Sequence, residues 1–206
     1  MESHTSSPSP QSEVASGTSP ESISGAQPAK RIAFITGASS GIGKEFALQI
    51  DQLQVVDELW LCARSADALH ALADTLDTPV HVVRADLTSR ADLDAIRAEL
   101  EQVQPNVKYL VNAAGFGKFG DWQSISDADV DAMIDLNCKA LVDVTRMCLP
   151  YVGRGGHIIE VASAAAFAPL PHLNVYAASK AFVLRYTRGL RFELRGRGIA
   201  LTALCP

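Results

Sequence analysis

Tyr176 and Lys180, in the run Val175-Tyr-Ala-Ala-Ser-Lys180, are the residues of this 206-residue chain best suited to proton chemistry. On a helix, a spacing of four puts both side chains on one face, about one turn apart. A phenol held beside an ammonium has its anionic form favoured by the opposite charge. Such a tyrosine can exchange a proton with an alcohol or a carbonyl near neutral pH. Taken alone, the spacing more often marks an ordinary helix-surface pair. Its meaning depends on the elements around it.

Those elements are written in the hydrophobic pattern from Lys30 onward. Short apolar runs predict strands at Arg31-Ile-Ala-Phe-Ile-Thr36, Glu58-Leu-Trp-Leu-Cys62, Val80-His-Val-Val83, Val107-Lys-Tyr-Leu-Val111, Gly156-His-Ile-Ile-Glu-Val161 and Ile199-Ala-Leu-Thr-Ala-Leu204. Between them, helical patterns run through about Leu53, from Ala66 to Leu76, Leu87 to Val103, Asp127 to Leu149 and Asn174 to Arg195. Strands alternating with helices of this length imply a parallel sheet covered on both faces. Right-handed crossovers make a doubly wound, Rossmann-type α/β sheet of six strands the economical topology.

Thr36-Gly-Ala-Ser-Ser-Gly-Ile-Gly43 directly follows the first strand and opens the first helix. Gly37, Gly41 and Gly43 let the backbone turn sharply and let a pyrophosphate approach main-chain N–H groups at a helix N-terminus. Ser39, Ser40 and Ile42 belong to the same loop. Many glycine-rich loops are only turns; the strand-to-helix position makes this one a candidate dinucleotide loop. A P-loop does not fit. The Gly37-to-Gly43 gap is one residue too long, and Glu45 stands where a serine or threonine should follow Lys44. At the end of the second strand an acidic residue would bind both ribose hydroxyls, whereas a basic one accommodates a 2′-phosphate. The sequence there is Leu61-Cys-Ala-Arg-Ser65, with Arg64 and no carboxylate, which favours NADP(H) over NAD(H). A solvated loop arginine is the plainer alternative.

At this point the chain resembles the short-chain dehydrogenase/reductase family, from Lys30 to Pro206; its runs Asn112-Ala-Ala-Gly-Phe-Gly-Lys-Phe-Gly120 and Ala177-Ala-Ser-Lys-Ala-Phe182 are similar to a bacterial subgroup of largely unassigned NADP-dependent reductases. Thr36-Gly-x-x-x-Gly-x-Gly43 matches the family's cofactor loop, and Asp86-Leu87 its adenine-contacting pair. Asn112-Ala-Ala-Gly115 looks like its Asn-Asn-Ala-Gly element, with Ala113 in place of the second asparagine and Ala114 following. Asn137 falls where the family's catalytic asparagine lies, and Ser163 stands thirteen residues before Tyr176, the family's usual separation. The resemblance implies a hydride transfer between NADP(H) and a carbonyl or alcohol. Tyr176 would serve as general acid/base, and Lys180 would assist it and hydrogen-bond the nicotinamide ribose. Ser163 would hold the substrate oxygen; Asn137 would kink its helix and hold a water in a proton relay to Lys180. Read without the resemblance, Ser163 is a strand-end cap and Asn137 a buried helix-breaking polar residue. The loop from Phe116 to Phe119 and the segment from Phe167 to His172 would flank the reaction centre, and their apolar character suggests an apolar substrate. Lys118 and His172 could meet an acidic group, though a solvated role is the simpler one.

Composition narrows the setting. A net charge of −5 without a basic run argues against nucleic acid, and no apolar stretch is long enough to span a bilayer. Residues 1–29 are rich in Ser, Pro, Gly and Thr and read as a disordered tail before the NAD(P)-binding domain of 30–206. The tail has neither a basic start nor a continuous apolar core, so the chain reads as cytoplasmic. Cys62, Cys138, Cys148 and Cys205 lack metal-like spacing and read as free thiols; no His/Cys/carboxylate cluster suggests a metal, and His157 reads as structural. The family resemblance also implies a continuation beyond Pro206 into a substrate lid and a seventh strand, which marks the domain as truncated. On that ground a catalytically silent nucleotide-binding or interaction protein is the alternative to an enzyme. A homodimer through the helices bearing Asn137 and Tyr176 is the expected assembly, if any.

Overall fold

In the first strand, Ile32 and Phe34 alternate with Ala33 and Ile35, and all four are fully buried. A strand that is apolar on both faces must be covered on both. In the computed structural model, which describes residues 29–206, that strand is β1 (Arg31–Thr36). It lies at the centre of a six-stranded, all-parallel sheet of order β3-β2-β1-β4-β5-β6. The others are β2 (Glu58–Ala63), β3 (Val80–Arg84), β4 (Asn106–Asn112), β5 (His157–Val161) and β6 (Ala200–Leu204). The doubly wound fold expected from the alternating pattern is the one observed. The disordered tail expected over residues 1–29 falls, except for its last residue, outside the described residues.

The two faces of β1 define the two halves of the core. Ala33 and Ile35 pack with Ala47, Ile50, Leu69 and Leu72 of helices α1 (Gly41–Leu53) and α2 (Ala66–Ala73). Ile32 and Phe34 pack with Leu93, Ile96, Val144 and Met147 of α3 (Arg90–Val103) and α5 (Leu141–Cys148). Helix α4 (Asp127–Ile134) precedes α5, and α6 (Asn174–Glu193) sets Val183 and Leu184 against Leu141 and Ala162. Strand order reverses between β1 and β4, so their connections leave on opposite faces and open a crevice at the strand C-termini.

Local chemistry moves several boundaries from their predicted positions. Helix α3 starts at Arg90, because Asp86 accepts from Thr88 in a turn and Ser89 caps the helix by accepting from the Asp92 N–H. Helix α2 stops at Ala73, where Thr75 returns its hydroxyl to the Leu72 carbonyl. The continuous helix expected from Asp127 to Leu149 is broken by a π-helical turn over Asp135–Ala140. Cys62 and Cys148 are buried, while Cys138 and Cys205 are half-buried; all four are free. His157 lies exposed and stacks on Tyr109 at 5.2 Å. Among the described residues no helix is long and apolar enough to cross a membrane.

Thr36 joins the two sides of the crevice. Its hydroxyl oxygen accepts from the Ala113 and Ala114 N–H groups, at 3.1 and 3.2 Å, and is buried. Thr36→Val keeps the shape and deletes the acceptor, which leaves two N–H groups unpaired. Urea unfolding should show a loss of about 1–3 kcal/mol; an unchanged midpoint would mean that this link does not matter.

Candidate active site

Every predicted site residue lies at or just beyond the C-terminal edge of the sheet, or on α6 or the π turn behind it. The register makes this so: Thr36 pairs with Cys62 and Asn112, and Asn112 pairs with Glu160. The segments following β1, β2, β4 and β5 therefore begin at one level.

Lys180 is only 5% exposed. Its ammonium donates to the Val161 carbonyl at the end of β5 (2.8 Å) and sits 5.8 Å from the centre of the Tyr176 ring. Burial pushes this lysine below its ordinary range, against a smaller opposing effect of the Cys138 thiol. The Tyr176 ring is half-buried, and Gly117 lies against it: a Cβ at Gly117 would stand 2.8 Å from a ring carbon. Gly115 is equally tight, with its Cβ position 2.9 Å from Asn137 Oδ1 and 3.3 Å from Lys180 Nζ. Glycine at both positions lets the loop after β4 pass over the pair.

Asn137 stands fully buried in the π turn. Its Oδ1 accepts from the Phe116 N–H at 3.0 Å, and its amide donates to the Phe116 carbonyl at 2.9 Å and to Ser179 Oγ at 3.0 Å. Ser179 passes its own proton to the Tyr176 carbonyl at 2.7 Å. One side chain thus ties the π turn, the loop after β4 and helix α6. The π turn lies at the position where the family resemblance implies a kink.

Ser163, two residues past the end of β5, accepts from the Ala165 N–H (3.2 Å), so it caps the short 3-10 turn Ala164–Phe167, against which α6 packs. Its oxygen is used in the cap; its proton has no acceptor among the described residues. Across the mouth, the Gly120 N–H donates to the His172 carbonyl (2.9 Å), and the His172 ring meets Asp121 at 2.7 Å. Lys118 meets Asp129 at 3.4 Å. The two side chains considered as partners for an acidic group therefore each face an aspartate. Phe119, Trp122 and Phe167 stand exposed around the same opening.

The glycine-rich loop has the shape its sequence predicts. Gly37 has φ +66°, and a Cβ there would stand 2.8 Å from the Ala114 nitrogen; one at Gly43 would strike the Gly37 carbonyl. Ser40 is the N-cap of α1 without a side-chain cap bond, and no acidic residue stands in the first turn. The first N–H groups of α1, from Gly41 and Ile42 onward, are thus bare, and Ser39 is half-buried beside them. Arg64 is exposed between β2 and α2. Asp86 is held below the usual carboxylate range by hydrogen bonds from Thr88, with Arg64 contributing from nearby. Leu87 buries its side chain in the core. Asn112 is buried as well; its amide donates to Thr145 and Glu160.

Sequence reasoning missed four residues that this geometry brings in. Thr36 and Ser179 lay inside quoted motifs but were assigned no role. Thr145 and Glu160 lack a motif, though a glutamate amid Ile158, Ile159 and Val161 is the kind of buried polar residue that needs a partner. Among the described residues no group of three or more His, Cys, Asp or Glu comes together as a metal site.

The short chain dehydrogenase family model matches residues 31–206. A sulfoacetaldehyde reductase of Chromohalobacter salexigens is 37% identical over 179 residues, covering 84% of this chain and 70% of that relative. An NADP-dependent 3-hydroxy acid dehydrogenase of Escherichia coli is 33% identical over 178 residues, covering 85% and 71%. The solved short-chain dehydrogenase from Sphingobium yanoikuyae in complex with NADPH superposes with a TM-score of 0.76 at 32% identity, covering 86% of this chain and 70% of that one.

Asn137→Ala removes three hydrogen bonds and leaves the Phe116 backbone without its partner. We expect it to cost about 2–4 kcal/mol in urea unfolding, against about 1 kcal/mol for Ser179→Ala. Equal costs would show that Asn137 acts through Ser179 alone.

Proposed function

The chain belongs to the short-chain dehydrogenase family, and from that premise we propose that it is an NADP(H)-dependent oxidoreductase acting on a carbonyl or alcohol, with Tyr176 as the proton-transfer group. The observation that carries this reading is the buried Lys180 ammonium, fixed to the Val161 carbonyl and set against the Tyr176 ring. A buried, fixed positive charge beside a half-buried phenol is the kind of arrangement that marks a proton-transfer site. Tyr176 is half-buried, so part of the residue remains accessible. In reduction it gives its proton to the substrate oxygen; in oxidation it takes one from the alcohol. Ser163 has a hydroxyl proton left to donate to the same oxygen and to stabilise charge developing there. Asn137 has both amide protons committed, so it keeps the π turn open; a relay water to Lys180 would be held by that turn's backbone.

The residues present suit a nicotinamide dinucleotide. The bare N-terminus of α1, with glycines where any Cβ would collide, fits a pyrophosphate. Gly37, Ser39, Ser40, Gly41, Ile42 and Gly43 would hold it. Asp86, the Leu87 backbone, Asn112, Ala113 and Ala114 would border the adenosine and ribose, and Lys180 would bond the nicotinamide ribose. When bound, that cofactor supplies or accepts the hydride. The β2 end offers Arg64 and no carboxylate, which supports NADP(H) over NAD(H). The NADP-dependent relative and the NADPH-bound neighbour point the same way. The exposed Phe119, Trp122 and Phe167 support an apolar substrate. Helices α4 to α6 are the faces through which two copies would pair, and α6 displays Phe182 stacked on Tyr186.

Two substitutions test the reading. Tyr176→Phe should retain NADPH binding, followed by fluorescence, and lose roughly 10²–10⁴-fold in turnover; full activity would remove Tyr176 from the chemistry. Arg64→Ala should weaken NADPH far more than NADH, and equal losses would refute the cofactor preference.

A further inference from the structure

Behind the site, three polar side chains are shut away from solvent: Glu160 and Thr145 are 0% exposed and Asn112 is 2% exposed. Glu160 projects from β5, Asn112 from the end of β4 and Thr145 from α5. Their hydrogen bonds can be counted proton by proton. The Asn112 amide has two protons, directed at Thr145 Oγ1 (2.9 Å) and Glu160 Oε2 (3.0 Å). Thr145 has one proton but two close oxygens, the Leu141 carbonyl at 2.7 Å and Glu160 Oε1 at 2.8 Å. If Glu160 is a carboxylate, one of these oxygen pairs has no proton between its members. If Glu160 is the neutral acid, its O–H donates to Thr145, Thr145 donates to Leu141, and every short contact holds a proton.

We propose that Glu160 is held as a neutral carboxylic acid, and that its proton completes a buried hydrogen-bond ring with Thr145, Leu141 and Asn112 that positions the site in front of it. No cation offsets a charge there: among the described residues Glu160 makes no salt bridge. The titratable groups facing it are the Cys148 thiol on α5 and the Tyr186 phenol on α6. Both stay neutral, since burial pushes Cys148 up and Tyr186 to about 12. From β4 and β6 it meets Asn112 and Ala203, neither of which titrates. Desolvation accordingly raises Glu160 from 4.5 to about 7, against the opposing hydrogen bonds of Thr145 and Asn112.

Each member of the ring is close in sequence to a site residue. Leu141 follows directly on the π turn that carries Asn137. Asn112 leads into Ala113 and Ala114, which bond Thr36, and then Gly115 against Lys180. Glu160 precedes Val161, whose carbonyl holds the Lys180 ammonium. Ionising Glu160 forces the single Thr145 proton to choose between Leu141 and the carboxylate, and so loosens the joint behind all three. Glu160 is a positioning residue in this account, and the account stands whether or not the redox reading does.

The sign of the pH dependence follows. Below pH 4.5 the acid is protonated folded and unfolded, and its share of stability is complete; as pH rises through about 7 that share is lost. Glu160→Gln reproduces the neutral ring, with its NH₂ donating to Thr145 and its oxygen accepting from Asn112. Thermal unfolding of the full chain and of Glu160→Gln between pH 5.5 and 8.5 tests this. The difference in midpoint between the glutamine variant and the native chain should shift in the variant's favour by roughly 2–6 °C from pH 5.5 to pH 8.5. A variant less stable by the same margin at every pH would overturn the proposal. If it does not fold, infrared spectra of the native chain with ¹³C-labelled glutamate decide. A protonated carboxyl band at pH 5.5 that fades by pH 8.5 supports the neutral acid; its absence at pH 5.5 overturns it.

Discussion

The contact on which the rest depends is the buried ammonium of Lys180 on the Val161 carbonyl. A lysine inside a protein is costly unless its charge is met. Here the sheet meets it with one carbonyl at the end of β5, and the loop after β4 gives it room because residue 115 has no side chain. Lys180 fixes the direction of α6, which in turn fixes Tyr176. Asn137 and Ser179 fasten the same helix from the other side, through the π turn and the Phe116 backbone. Charge, helix and tyrosine form one mechanical unit.

That unit depends on the parallel sheet. The segments after β1, β2, β4 and β5 begin at one level, and the strand order reverses between β1 and β4, where Thr36 bridges the two connections. The glycine-rich loop and the Tyr176 helix come from opposite ends of the described chain and from opposite sides of the reversal point. Only the register brings them together. The buried ring of Glu160, Thr145, Leu141 and Asn112 lies directly beneath, holding β4, β5 and α5 at a common level.

Much of this was legible in the sequence, and the exceptions have physical causes. Short continuous apolar runs located all six strands, because a sheet buried on both faces leaves little freedom in composition. The loop glycines and the Tyr176–Lys180 spacing were legible because each position tolerates few residue types: Gly43 faces a carbonyl, and Lys180 must span from α6 to β5. The π turn was legible only through the family resemblance, which implies a kink at Asn137. The local pattern of residues 127–149 reads as one helix, because the interruption follows from a tertiary bond between Asn137 and Phe116, 21 residues apart. Ser179 and Glu160 were missed for the same reason. Their partners lie 42 and 48 residues away, and no local pattern records such a pairing. Ser163 shows the converse: spacing singled it out, while its observed bond is the local cap to Ala165.

What the fold and the Tyr176–Lys180 unit amount to chemically is decided by mixing the native chain with NADPH and a panel of aromatic ketones and aldehydes while following NADPH fluorescence. The account predicts saturable NADPH binding and a steady fall of the signal with at least one carbonyl, at a rate proportional to protein. NADPH that binds and is never consumed, across the whole panel and in the reverse direction with the alcohols and NADP⁺, would contradict it.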